Sequence, residues 1–416
     1  MGTDKFNRRK FLQITGATAF SFSGNPILPR LKPDVIIIGA GATGCNAAWH
    51  LKKLGHTVTV IESASGPATQ ASQAAAGFVA NWSGLHVPAW GKVENGMQKY
   101  GIEFYTQLAL RSKKDIGFKK TGICYLFTKE ESWKNGTKHV ENFRDLGIPF
   151  EILNKNRSRQ LLPVIEFDLL KGIVYEPSSV RVRAADTIPF LADEAANEGV
   201  DFIYNTKVLS FKQSGSRIVA VNTDKGLFEA GNVLITAGAW SLNFLNNIGI
   251  HPPVTPLIEA RYTTPVLEEV PSNMPLLIFS DIGFYIREEN GGLLIGGGDD
   301  SGHKDRNVVT RNLPTSDRLK GHPQIRRIKN HLSVINKVMP IISKAGIKEV
   351  RAGIPTFTKD IQFIADRVGP IANLFVITAC QEAGITHGPA LGKMMAEFIS
   401  TGSAPKDLSK FKLDRF

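Results

Sequence analysis

Cysteine is scarce in this chain: Cys45, Cys124 and Cys380 are the only three among 416 residues. Their spacing fits no Cys-x-x-Cys pair, which excludes a zinc ribbon and a dithiol redox motif. A chain of this length needs no disulfide framework, so they read as buried thiols. Metal-ligand patterns are missing too. His86 and His387 each stand without ligand company, and no metal is expected. Past residue 30 no stretch offers about 20 uninterrupted apolar residues, so no transmembrane span is expected there. Repeats and low-complexity tracts are absent, which argues against a solenoid. Basic residues outnumber acidic ones, 50 to 38, for a net charge of +12. They are scattered apart from small clusters such as Arg326-Arg327-Ile328-Lys329, with no dense stripe interleaved with aromatics. The excess reads as a solvated basic surface, and no nucleic acid is expected as a partner.

What is present is glycine, 39 residues, and proline, 22, as in chains with many turns and close backbone approaches. The length makes two domains the natural expectation. Residues 34–38 (Asp-Val-Ile-Ile-Ile) form an apolar run of strand length, as expected of a parallel strand buried on both faces. Gly39-Ala40-Gly41-Ala42-Thr43-Gly44 follows, then a helical stretch over 45–54 stopped by Gly55. A second β-branched strand over 57–61 ends at Glu62, with Ser63 beside it. Each part has a physical task. Gly39 permits the tight turn, Gly41 clears the backbone for a pyrophosphate, and Gly44 lets helix and strand pack closely. The helix N-terminus attracts the phosphate charge, and Glu62 accepts from ribose hydroxyls. This fingerprint binds the ADP half of FAD or NAD and does not separate the two.

Three later stretches do. Residues 233–241 (VLITAGAWS) read as a buried strand running into small residues. Residues 284–298 read as a hairpin turning at Asn290-Gly291. Residues 373–392 give a strand, a turn with Gly384-Ile385-Thr386, and a helix from about 390 to 399. In this order, with the fingerprint, residues 34–400 resemble the D-amino-acid oxidase superfamily of FAD-dependent flavoproteins.

The resemblance implies an α/β fold: a Rossmann-like FAD-binding domain with an interleaved, mostly antiparallel substrate domain. The first would take residues 31–110, 180–248 and 346–402. The second would take 111–179 and 249–345, with 403–416 as a C-terminal tail. Within the first, 185–199 read as a helix and 200–204 as a strand. FAD is the implied cofactor, held by Gly39, Ala40, Gly41, Thr43, Gly44, Glu62 and Ser63. Ser72, Ala75, Ala76 and Gly77 would pass its pyrophosphate and ring, and Val208 would meet adenine. Ala237, Gly238 and Trp240 would flank the dinucleotide. Gly384, Ile385 and Thr386 would reach the flavin pyrimidine edge, where a helix N-terminus favours negative charge.

The implied reaction moves a hydride from the CH–NH bond of an amino acid or secondary amine to flavin N5, leaving an imine that hydrolyses. A 2-hydroxy-acid dehydrogenase, or a flavin subunit that needs partner subunits, is the alternative. An RNA-modification role, prompted by the basic charge, lacks the fused methyltransferase region it requires. The acceptor is open: oxygen, a quinone or a partner protein. Relatives grip the substrate carboxylate with Arg and Tyr. Tyr285 falls at the Tyr position. Arg287, two residues on along a strand, is a candidate co-ligand, although a surface cation paired with Glu288 or Glu289 is the favoured reading. Pro355 stands where relatives that use D-amino acids carry Arg, which leaves Arg261 and Arg351 as further candidates. Glu382 reads as a solvated loop carboxylate.

Ahead of this core, Asn7-Arg8-Arg9-Lys10-Phe11-Leu12 and the apolar residues 14–22 resemble a twin-arginine export address. Residues 1–30 are therefore expected to be an export signal to the periplasm or cell envelope. A disordered N-terminus on a cytoplasmic enzyme is the alternative.

Overall fold

The computed structural model describes residues 32–297, 313–319, 332–333 and 335–416. The twin-arginine stretch and the 326–329 cluster lie outside the described residues.

The apolar run predicted as a buried strand forms Val35–Ile38, all four residues buried. It pairs in parallel with Val58–Ile61 on one side and Asn232–Ile235 on the other. Leu374–Thr378 extends the parallel set beyond Asn232–Ile235, and Asp201–Ile203 extends it beyond Val58–Ile61. Ile364–Arg367 closes one edge antiparallel, giving six strands. Strands this apolar need cover on both faces. Helix Ala42–Lys53 lies on the sheet and packs closely against helix Gly384–Thr401. A Cβ at Gly392 would come within 2.7 Å of the Ala47 nitrogen, so only a bare backbone permits that approach.

Helix Gly384–Thr401 starts six residues before the expected position. Pro389 lies inside the helix, where it gives no N–H to the ladder and crowds the carbonyl of Ile385; the helix nevertheless runs through it.

A second sheet of eight strands is mostly antiparallel. Its order is Glu349–Gly353, Glu259–Thr263, Gly292–Gly297, Phe284–Glu289, Leu276–Phe279, Ile123–Phe127, Gly172–Glu176 and Glu151–Ile152. The predicted hairpin is present, Phe284–Glu289 against Gly292–Gly297, with φ of +51° at Asn290 and +81° at Gly291. Positive φ at both central residues suits the right-handed twist of the flanking strands. Strand Glu349–Gly353 belongs to this larger sheet, paired with Glu259–Thr263, although the expected boundary at 346 groups it with the smaller one. The fold is mixed α/β, one sheet parallel at its centre and one mostly antiparallel.

Candidate active site

Three glycines at the end of the first strand do three different things. Gly39 has φ +103°, and a Cβ there would stand 2.9 Å from the Thr236 carbonyl oxygen. A Cβ at Gly44 would lie 2.0 Å from the Gly39 carbonyl oxygen and 2.7 Å from Thr236 Oγ1. The protein's own packing demands both. Gly41 differs: its backbone is extended (φ −76°, ψ −175°), and a Cβ would touch only Ser72 Oγ, at 3.5 Å. Nothing in the polypeptide forbids a side chain there; the bare backbone faces a cavity. Gly41 is also the N-cap of helix Ala42–Lys53 and offers no side-chain acceptor. One first-turn N–H, that of Ala42, donates to Ser72 Oγ at 3.0 Å. The positive end of the helix is thus turned to the cavity, a setting suited to an anion.

Glu62, at the end of the second strand, is held by three donors. Its Oε2 accepts from the Ala40 N–H at 2.8 Å. Its Oε1 accepts from the Ala64 N–H at 2.8 Å and the Ser63 hydroxyl at 3.1 Å. A carboxylate has about four acceptor positions, so capacity for a hydroxyl donor remains.

The cavity measures 1790 Å³, more than the roughly 300–1,000 Å³ of a pocket for one small ligand. Gly39, Gly41, Thr43, Glu62, Ser63, Ser72, Ala75, Ala76, Gly77, Val208, Ala237, Gly238, Trp240, Gly384 and Ile385 all line it. Of the expected cofactor residues, Ala40, Gly44 and Thr386 do not. Ala40 is buried and gives its N–H to Glu62, and Gly44 sits in the helix–strand contact. Thr386 is buried, donating from Oγ1 to the Phe78 carbonyl at 2.8 Å. Gly384 and Ile385 open the 18-residue helix that ends at Thr401, and its N-cap, Ala383, also supplies no side-chain acceptor. The space left at Gly41, two helix N-termini without side-chain caps and a pre-oriented carboxylate fit a dinucleotide such as FAD.

The candidate substrate residues divide. Arg351, Arg261, Gly296 and Tyr285 are successive cross-strand partners and form one row across the larger sheet. Tyr285 lines the cavity. Its ring leans over Gly296, where a Cβ would stand 2.1 Å from Tyr285 Cζ and Oη. The three arginines do not line the cavity. Arg261 donates from Nε to the Ala74 carbonyl at 2.7 Å and from Nη2 to the Gln73 carbonyl at 3.3 Å. Arg351 donates to the same Gln73 carbonyl at 3.3 Å and pairs with Glu349 at 2.9 Å. Arg287 donates to the Ala76 carbonyl at 2.5 Å and pairs with Glu289 at 2.5 Å. The pairing with Glu289 is the one expected for Arg287, but the expected surface location is not found. The residue is 1% exposed, because its strand face turns inward onto residues 73–76. Burial lowers the Arg287 pKa to about 10, so it remains a cation at neutral pH.

His387 is a packed histidine. It is fully buried, with ring centroids of Phe363 and Trp90 at 4.7 and 4.9 Å. Gln98 Nε2 lies 3.2 Å from its Nε2 and the Ala383 carbonyl 3.2 Å from its Nδ1, which suits a neutral ring protonated at Nδ1. Burial pushes its pKa down to about 3. His86 lines the cavity, and so does Cys380, whose thiol burial pushes up to about 12. Among the described residues the cysteines are free, and no group of three His, Cys, Asp or Glu is arranged to hold a metal. Glu382 is exposed, as expected, and lines the cavity.

Sequence reasoning missed Trp82, Trp90, Arg318 and Lys359, all in the cavity wall. Arg318 and the tryptophans carry no local signal, since only long-range packing brings them there. The turn before the last helix was also missed as a strained element. Ala379, Gln381 and Glu382 have φ of +54°, +51° and +61°, costing about 1–2 kcal/mol each for residues with a Cβ.

A glycine-rich strand–helix turn, a fixed carboxylate and a cavity of this size define a dinucleotide-binding protein of the doubly wound kind. Residues 34–398 match the family described as "DAO: FAD dependent oxidoreductase", and the chain belongs to that family. It is 26% identical over 390 residues to glycine oxidase of Geobacillus kaustophilus, covering 92% of this chain and 97% of that one. It is 23% identical over 401 residues to 4-methylaminobutanoate oxidase (formaldehyde-forming) of Paenarthrobacter nicotinovorans, spanning 96% of this chain but only 47% of that protein. Among solved structures, glycine oxidase from Geobacillus kaustophilus superposes with a TM-score of 0.79, covering 92% of this chain and 99% of that chain at 24% identity. L-proline dehydrogenase from P. horikoshii superposes with a TM-score of 0.77, covering 92% and 98% at 20% identity.

Proposed function

We propose that this chain is an FAD-dependent oxidoreductase that oxidises the CH–NH bond of an amino acid or secondary amine to an imine, which water then hydrolyses. The observation that carries the reading is one cavity whose wall includes both the Gly41 turn with Glu62 and, farther along the chain, Tyr285. FAD, when bound, supplies the two-electron acceptor. The chain does the rest. The N-terminus of helix Ala42–Lys53 would hold the pyrophosphate, Glu62 the ribose and Val208 the adenine. The N-terminus of helix Gly384–Thr401 would favour negative charge at the flavin ring. The Tyr285 hydroxyl donates to the substrate carboxylate, and Trp82 and Trp90 add apolar wall to the same cavity.

Glycine and N-methylated amino acids are the substrate classes suggested by the names of the relatives. The chain spans less than half of 4-methylaminobutanoate oxidase. That observation favours a second reading, a flavin subunit whose partner supplies the path to the electron acceptor. The Arg8-Arg9 address supports export, already folded, to the periplasm or cell envelope.

The test is anaerobic mixing of the purified yellow protein with N-methyl amino acids, glycine, D-amino acids and 2-hydroxy acids. Loss of flavin absorbance with an amine supports the reading. Reduction by 2-hydroxy acids alone refutes it.

A further inference from the structure

The row of charge across the larger sheet is unusual. Arg261 and Arg351 face each other directly on neighbouring strands. Like charges placed so are destabilising. Both side chains nevertheless converge on one acceptor, the Gln73 carbonyl. Arg261 also takes the Ala74 carbonyl and Arg287 the Ala76 carbonyl. Three guanidinium groups from three strands thus satisfy three carbonyls within four residues of chain.

Those residues need the help. Ala71–Ala74 is a single helical turn, far below the length at which a helix holds itself together, and it ends in an extended Ala75 and a Gly77 with φ +73°. The last carbonyls of such a turn are orphans carrying partial negative charge. The same stretch lines the cavity, and Ser72 Oγ accepts from the N-terminus of helix Ala42–Lys53.

We propose that Arg261, Arg287 and Arg351 are positioning residues: they fix residues 72–77 as the cavity wall against which the flavin seats, rather than gripping the substrate. This rests on the flavin reading above. Arg261 is the strongest case. It is 5% exposed, makes two of the contacts, and among the described residues forms no ion pair within salt-bridge distance. Its Nε and Nη2 act as a fork that a point-charge ammonium does not reproduce.

The test uses the full chain, with Arg261→Leu as the main variant, Arg351→Gln as a milder one at a half-buried site, and Arg261→Lys as the conservative control. Hydrogen exchange is measured on the flavin-free proteins, FAD affinity by titration, and KM by steady-state assay. Expected for Arg261→Leu is at least tenfold faster exchange across 72–77, with Ile123–Phe127 unchanged, and at least a tenfold rise in the FAD dissociation constant. Arg351→Gln should give the same pattern at smaller amplitude, and Arg261→Lys a partial return. Wild-type exchange at 72–77 in both Arg261→Leu and Arg351→Gln overturns the proposal. So does a raised KM with FAD affinity unchanged, which assigns the arginines to the substrate. Should the wild type bind no FAD, the flavin reading fails, while the exchange comparison still decides whether the arginines hold the wall. If Arg261→Leu does not fold, Arg351→Gln carries the decision.

Discussion

Replacing the three glycines of the turn one at a time separates what the fold needs from what the cofactor needs. Gly41→Val adds a side chain where the backbone is already extended and where a Cβ meets only Ser72 Oγ at 3.5 Å. The flavin-free protein should therefore keep its stability to within about 0.5 kcal/mol. The valine methyls would instead occupy the space left for the pyrophosphate, and a hundredfold loss of FAD affinity, about 2.7 kcal/mol, is expected. At an FAD concentration a hundred times the wild-type dissociation constant, wild type gains about 2.7 kcal/mol from binding, while the variant gains about 0.4. For a chain this long the difference is roughly 3 °C in melting temperature. Gly39→Ala and Gly44→Ala should behave oppositely. Gly39 sits at φ +103°, about 1–2 kcal/mol of strain for any other residue, and both Cβ atoms would collide with backbone oxygen. They should melt early even without FAD. The assay is thermal unfolding with and without FAD. Equal FAD-dependent rises in wild type and Gly41→Val would falsify the assignment of the turn.

Tyr285→Phe should leave FAD content unchanged and raise the substrate KM, since a hydrogen bond to a charged group contributes about 1.5–3 kcal/mol; an unchanged KM for every active substrate removes Tyr285 from the site. His387 has its folded pKa pushed down to about 3 by burial, while the unfolded ring titrates near 6.5. The unfolded state therefore binds more protons between these values. Stability is full above pH about 6.5 and declines as pH falls, by about 2 kcal/mol at pH 5. His387→Phe should flatten that part of the profile in denaturant titrations, and an unchanged slope rejects the attribution. Arg8→Lys together with Arg9→Lys should retain folded, FAD-loaded protein in the cytoplasm of the native host while wild type crosses the inner membrane. Wild type confined to the cytoplasm would end the export reading.

Local chemistry explains which parts of the site the sequence revealed. The Gly39–Gly44 turn, its flanking strands and Glu62 announce themselves because strand period, glycine spacing and helix start all act within thirty residues. The Asn290-Gly291 hairpin is equally local, and it put Tyr285 and Arg287 correctly on one strand. What local reading does not reveal is which backbone groups a side chain will meet. Arg261, Arg287 and Arg351 were weighed as ligands because cations near a flavin suggest an anionic substrate. The acceptors they meet are backbone carbonyls nearly 190 to 280 residues away in sequence, a demand no side-chain pattern advertises. Arg318 and Lys359 escaped for the complementary reason: cavity walls assembled by tertiary packing leave no periodicity behind.

The packing of helix Gly384–Thr401 onto helix Ala42–Lys53 has a consequence in time as well as space. The two helix N-termini that face the cavity are separated by most of the chain. A ribosome adding about 5–20 residues per second needs roughly 17–70 seconds to travel from one to the other. Throughout that interval the first turn can form without the wall that completes it, and Gly392 has not yet met Ala47. Flavin capture thus waits until both helices have been synthesised, and a chain cut short before Gly384 leaves the ribosome with its fingerprint intact and no complete site for the cofactor.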